Sequence, residues 1–126
     1  MTTSRNTVQR VLVYRAVQET PTHPTADEIF TVVHTKNPRV SRATVYRNLS
    51  VLSQKGEIRQ IQIPAGADRY DFNCTPHYHF HCRQCDCVFD MEMPVLPELE
   101  TRVGMPGEFD VEGYELVFTG VCPDCK

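Results

Sequence analysis

Six cysteines and five histidines stand in a chain of 126 residues, and their spacing is where its chemistry is written. Cys82 and Cys85 form one C-x-x-C, Cys122 and Cys125 a second, with 36 residues between them. Two such pairs supply four soft thiolate ligands for one tetrahedral Zn2+ per chain, and the two-residue gap lets each pair grip the ion without strain. Disulfides are disfavoured in a cytoplasmic setting, and a redox dithiol needs only one pair. Cys74 and Cys87 remain. A third thiol so close to Cys85 does not fit the same tetrahedron, so both read as buried, inert cysteines.

The histidines suggest a second, harder site. His77, His79 and His81 alternate along a strand, which puts all three imidazoles on one face, where two or three can share a metal. His23 sits in the turn THPT. Asp71, on a returning strand, and Asp90, after the cysteine knuckle, are carboxylates able to complete a nitrogen and oxygen site of the kind that suits manganese, iron or zinc. His34 has no such company and reads as a surface residue.

These side chains need elements to position them. Hydrophobic residues are 40% and charged residues 23% of the chain, a globular composition that excludes disorder and collagen-like repeats. No signal peptide and no run approaching the ~18 apolar residues of a membrane span is present, so a cytoplasmic protein without a membrane partner is expected. Charge divides the chain: residues 1–72 hold ten Lys or Arg against six acids, whereas residues 73–126 hold three against ten. The division suggests a front domain, 1–72, that meets nucleic acid and a back domain, 73–126, that binds cations. The back domain is too small to rely on its core, and zinc would clip its last strand to the earlier hairpin.

Within the front domain, Thr7 to about Glu19 reads as a helix capped at Thr7, with Val8, Val11, Leu12 and Ala16 inward. Thr25 to Glu28 is a capping box opening a second helix with Ala26, Ile29, Phe30 and Val33 inward. Ser41 caps a third, whose buried stripe is Val45, Leu49 and Leu52 and whose stop is Gly56. Ala43, Arg47, Ser50 and Gln54 lie opposite that stripe, with Tyr46 flanking. The run EIRQIQI alternates like a half-buried strand, PAGAD is a turn, and RYDF returns. Three short helices and a hairpin are the order of a winged helix-turn-helix domain. Further on, HYHFHCRQCDCVFDMEM reads as two strands joined near Arg83 to Asp86, Pro94 to Val103 as a short helix, and Tyr114 to Thr119 as a strand.

The segments HPTADEIF, SRATVYRNLSVL, RYD, HYHFHCRQC with Asp90 following, and GVCPDC resemble, in order and over nearly the whole chain, the ferric uptake regulator (Fur) family of metal-dependent repressors. The resemblance implies an α+β protein, a winged-helix DNA-binding domain followed by a small α/β dimerisation domain, with structural Zn2+ on Cys82, Cys85, Cys122 and Cys125. It implies a regulatory metal on His23, Asp71, His77 and His79, with Asp90 at the fifth position found in the peroxide-sensing branch, PerR. Asp rather than Glu at position 71 favours that branch, and Cys74 lies three residues from where the zinc-uptake branch often has a cysteine. A further metal site of many iron sensors needs an Asp and a His where this chain has Tyr78 and Tyr114, so that site is expected to be missing. The family's extra N-terminal basic helix is not found before RNTVQR. Arg47 stands where peroxide sensors often carry Asn, and leans towards iron-box-like operators. Asp86 replaces the glycine that commonly follows the first cysteine pair.

Function follows from these expectations. A homodimer binds double-stranded operator DNA through Arg42, Tyr46 and Arg47, assisted by Ser41 and Thr44, while Fe2+ or Mn2+ on the regulatory ligands sets the angle between the two domains. Peroxide acting on the iron form would oxidise His23 or His77 and release the operator. The alternatives are an iron-, manganese- or zinc-responsive uptake repressor, a small non-haem metalloenzyme, for which the chain leaves little room for a substrate cleft, and a zinc-ribbon module that does not bind DNA.

Overall fold

The computed structural model describes residues 5–20, 22–64, 66–96, 98–99 and 107–126. The chain divides into two compact units, Met1–Thr75 and Pro76–Lys126, a little past the 72/73 boundary drawn from charge.

The first unit is a winged helix: α1 Arg5–Glu19, α2 Ala26–Lys36 and α3 Arg42–Gln54, then a hairpin of β1 Arg59–Ile61 and β2 Arg69–Asp71. Its local signals act as expected. The Thr25 hydroxyl accepts the Glu28 N–H at 3.2 Å and donates back to the Glu28 carboxylate at 3.2 Å, which opens α2 as a capping box. The Ser41 hydroxyl accepts the Thr44 N–H at 3.1 Å to open α3. Gly56 closes α3 at φ +74°, with its N–H on the Ser53 carbonyl at 3.1 Å and the Glu57 N–H on the Leu52 carbonyl at 3.0 Å. This is the paired closure of a Schellman motif, which needs a residue at ease in the left-handed region. Val45, Leu49 and Leu52 are buried, as are Ile29 and Val33 of α2, while Ala26 and Phe30 are half-buried.

The first helix departs from expectation. It begins at Arg5, so Thr7 lies inside it rather than capping it. Its inward face is Gln9, Val13, Ala16 and Val17, whereas Val8 and Val11 are 46% and 43% exposed. Both stripes have helical spacing, so the choice falls to the partners: α1 packs on α2 and α3, and Arg10 reaches Asn48 of α3 at 3.2 Å. The wing strands are also shorter than EIRQIQI and RYDF suggest. They pair antiparallel with Arg59 opposite Asp71 and Ile61 opposite Arg69.

The second unit is a three-stranded sheet in the order β4 (Val88–Met91), β3 (Tyr78–Cys82), β5 (Val117–Gly120). The β3–β4 hairpin is the expected one, and β5 lies parallel to β3 with His81 opposite Thr119. Of the helix expected over Pro94–Val103, residues 97 and 100–103 lie outside the described residues. The remainder shows a turn, with the Leu99 N–H on the Leu96 carbonyl at 3.3 Å. No helix among the described residues is long and apolar enough to cross a membrane.

Candidate metal centres and nucleic-acid face

The β3–β4 turn carries Cys82 and Cys85, and the turn after β5 carries Cys122 and Cys125, so parallel pairing of β3 with β5 brings both knuckles to one end of the sheet. All four sulfurs lie within 4.8 Å of one another, and Cys85 Sγ is 3.8 Å from Cys122 Sγ. Zn–S bonds of about 2.3 Å at the tetrahedral angle require sulfurs about 3.8 Å apart, so the quartet fits Zn2+. The backbone N–H groups of Cys85 and Cys122 each point at Cys82 Sγ from 3.4 Å, and these donors hold its thiol down at about 6. Cys125 is pushed up to about 12, first by its hydrogen bond with Cys122. Thiols this crowded resist full ionisation until a divalent cation balances them.

The second set of donors is built in two parts. In the first unit His23 sits just before α2 in the left-handed region, at φ +59°. Its turn is anchored to β2: the Tyr70 N–H donates to the Pro24 carbonyl at 2.9 Å, and the buried Arg69 guanidinium donates to the His23 carbonyl at 3.2 Å. The His23 imidazole Nε2 thereby lies 3.3 Å from Asp71 Oδ2, both side chains being 7% exposed. In the second unit the β3–β4 register sets Asp90 opposite His79. Asp90 Oδ1 is 3.2 Å from His77 Nε2 and 3.5 Å from His79 Nε2, with the two rings 4.4 Å apart. Two donors on bonds of about 2.1 Å stand roughly 3.0 Å apart at a right angle and roughly 3.4 Å at the tetrahedral angle, so each part has the spacing of ligands that share an ion. Neutral imidazoles with carboxylates suit borderline cations such as Fe2+, Mn2+ or Zn2+.

His81 does not join this set. Its Nε2 bonds Asp86 at 2.7 Å, and Asp86 stands at φ +64°. Aspartate tolerates that region better than most residues, and here its carboxylate ties the knuckle turn to β3. Cys74 and Cys87 are exposed rather than buried, because both fall where the chain turns away from a strand. His34 is exposed and stacks on Phe30, 5.1 Å between rings. Tyr78 and Tyr114 hydrogen-bond each other through their hydroxyls. Both engage Leu96, whose N–H donates to Tyr78 at 2.8 Å and whose carbonyl accepts from Tyr114 at 2.9 Å.

On α3, Ala43, Tyr46, Arg47, Ser50 and Gln54 all face solvent. Ser41 and Thr44 cap the helix with each other, their hydroxyls 2.9 Å apart. Arg42 and Tyr46 are engaged by a residue that sequence reasoning does not single out: both donate to Asp27 Oδ1 on α2. Asp27 has no signal in the sequence beyond being an acid in the first turn of a helix.

Comparison with known proteins places these features in company. Residues 2–119 match the ferric uptake regulator family. The chain is 36% identical over 122 residues to the peroxide-responsive repressor PerR of Staphylococcus aureus, covering 97% of this chain and 82% of the relative. Its fold superposes on the ferric uptake regulator of Francisella tularensis with iron at TM-score 0.77 and 20% identity, over 99% of this chain and 94% of that one. It superposes on the Campylobacter jejuni peroxide stress regulator at TM-score 0.73 and 25% identity, over 96% and 91%.

Proposed function

The chain belongs to the ferric uptake regulator family, and on that premise we propose that it is a cytoplasmic, homodimeric, metal-dependent repressor of transcription that responds to peroxide. It is a regulator and not an enzyme, with peroxide as its signal. The observation that carries the peroxide reading is the pair of aspartates: Asp71 beside His23, and Asp90 shared by His77 and His79. Cys82, Cys85, Cys122 and Cys125 hold the structural Zn2+. His23, Asp71, His77, His79 and Asp90 hold the regulatory Fe2+ or Mn2+.

Because the donors come from both units, occupancy of all five would couple the winged helix to the second unit, and in a dimer would set the spacing of the two α3 helices for successive major grooves. Arg47, Arg42 and Tyr46 then meet base edges and phosphates, with the N-terminus of α3 and its Ser41–Thr44 cap towards the backbone. Ferrous iron supplies single electrons to peroxide, which Mn2+ does far less readily. His23 and His77, as ligands, would be the groups oxidised: overall, one oxygen of hydrogen peroxide would be inserted into an imidazole C–H, the peroxide O–O bond breaking and the second oxygen leaving as water. A histidine so altered is a poorer donor, and losing it uncouples the units and frees the operator.

The test is a brief peroxide pulse on iron-loaded and manganese-loaded protein bound to an A·T-rich palindromic operator, followed by peptide mass spectrometry. A gain of about 16 Da, one oxygen atom, on His23 or His77 in the iron form alone, coincident with release, is expected. If the iron form stays on DNA with both histidines intact, the chain is an iron- or manganese-responsive repressor instead.

A further inference from the structure

Asp27 lies in the first turn of α2, where a carboxylate already suits the helix end. Its side chain does more than that. One oxygen, Oδ1, accepts from both the Arg42 guanidinium and the Tyr46 hydroxyl, which stand one turn apart on α3. The Arg42 guanidinium carbon also lies 4.5 Å from the centroid of Phe30, one turn further along α2. Arg42 is therefore held on two sides by α2, although its side chain is 55% exposed and Asp27 is 70% exposed. Exposed ion pairs contribute little to stability, so an arrangement that draws two groups of α3 to one exposed oxygen of α2 is poorly explained as a device for folding.

We propose that Asp27 is a positioning residue for sequence discrimination: it holds Arg42 and Tyr46 in one geometry for base edges while opposing indiscriminate binding of phosphates. The inference rests on the DNA-binding reading above. Its physical content has two parts of opposite sign. A free arginine is a general phosphate binder, and each phosphate it neutralises steepens the salt dependence of binding by about one unit of slope. A carboxylate beside it cancels that charge and repels every backbone phosphate alike. Conversely, a planar guanidinium already fixed by a carboxylate and a ring loses less freedom when it docks on a base edge, as does a phenol whose hydroxyl is oriented. Discrimination is a difference of affinities, and a repulsive group that acts on all sequences increases it when the specific contacts are fixed in advance.

The experiment uses the full chain loaded with Zn2+ and Mn2+. Wild-type protein first selects duplexes from a random-sequence library. One recovered duplex and one unselected duplex are then titrated against wild type and Asp27→Asn across a range of salt. Asp27→Asn should bind the unselected duplex more tightly, with a slope of log K against log salt steeper by about one, and the selected duplex more weakly. The ratio of the two affinities should fall by about tenfold, the scale of one good base contact. General damage to the fold would weaken both, and a purely electrostatic role would strengthen both equally. Either result, or an unchanged ratio, overturns the inference while leaving the DNA-binding reading intact. If wild type enriches no sequence, that reading itself fails and takes the inference with it.

Discussion

Replacing Cys122 with Ser tests what holds residues 76–126 together. Among the described residues of that unit the buried apolar side chains are Tyr78, Cys82, Val88 and Cys122, and two of these belong to the cysteine quartet proposed to hold zinc. Burying Tyr78 and Val88 contributes about 1.5–3 kcal/mol each, or roughly 5 kcal/mol gross before ordering costs. A structural zinc contributes about 10–16 kcal/mol of binding free energy, which in such a small unit is folding free energy. Zinc thus outweighs the apolar core by about a factor of two or more. Cys122 is one of the four proposed zinc ligands, and its N–H helps to set the Cys82 thiol. Cys122→Ser should therefore fall from about one zinc per chain to none, retain the helical circular dichroism of α1 to α3, and lose amide protection across β3, β4 and β5. It should also elute as a monomer. The assays are zinc content by chelator colorimetry, residue-resolved hydrogen exchange and size-exclusion chromatography. A zinc-free Cys122→Ser protein whose β3–β5 amides exchange as slowly as wild type would refute the reasoning.

Three further outcomes are expected. The Cys82 thiol is held at about 6 against an ordinary 9.0 by the N–H groups of Cys85 and Cys122, so its contribution is complete above about 9 and is lost as pH falls through about 6. Protons compete with the ion for all four sulfurs, so zinc should be lost on acidification, followed with a chromophoric chelator; zinc still fully bound at pH 4 would contradict this. Gly56→Ala meets no atom within 4 Å, so its cost is the left-handed backbone alone, about 1–2 kcal/mol, or at least 4–8 °C in the melting of the winged-helix unit. Unaltered melting would show that the α3 closure relaxes freely. Arg47→Ala, on the open face of α3, should change base preference, whereas Arg59→Ala on the wing should weaken all duplexes alike and lower the salt slope by about one. Identical behaviour of both variants in gel shifts would misassign the reading helix.

Much of this was legible in the chain because the relevant interactions span few residues. The capping box at Thr25, the Ser41 cap and the Gly56 stop depend on groups within five positions, and the structure forms each of them. The two C-x-x-C pairs and the β3–β4 hairpin were equally local, and order along the chain was enough to resemble a family. What the sequence could not decide were choices between equivalent local answers. Two helical stripes on α1 were both apolar enough, and packing on α2 and α3 buried Gln9 and Val13 while leaving Val8 and Val11 outside. Alternation set His77, His79 and His81 on one face, but whether an imidazole meets Asp90 or Asp86 depends on hairpin register and on a left-handed residue in the turn. The hold of Asp27 on Arg42 and Tyr46 spans 15 and 19 positions. A hydrogen bond reaches about 3 Å, so only the packing of one element on another determines which distant groups come within it.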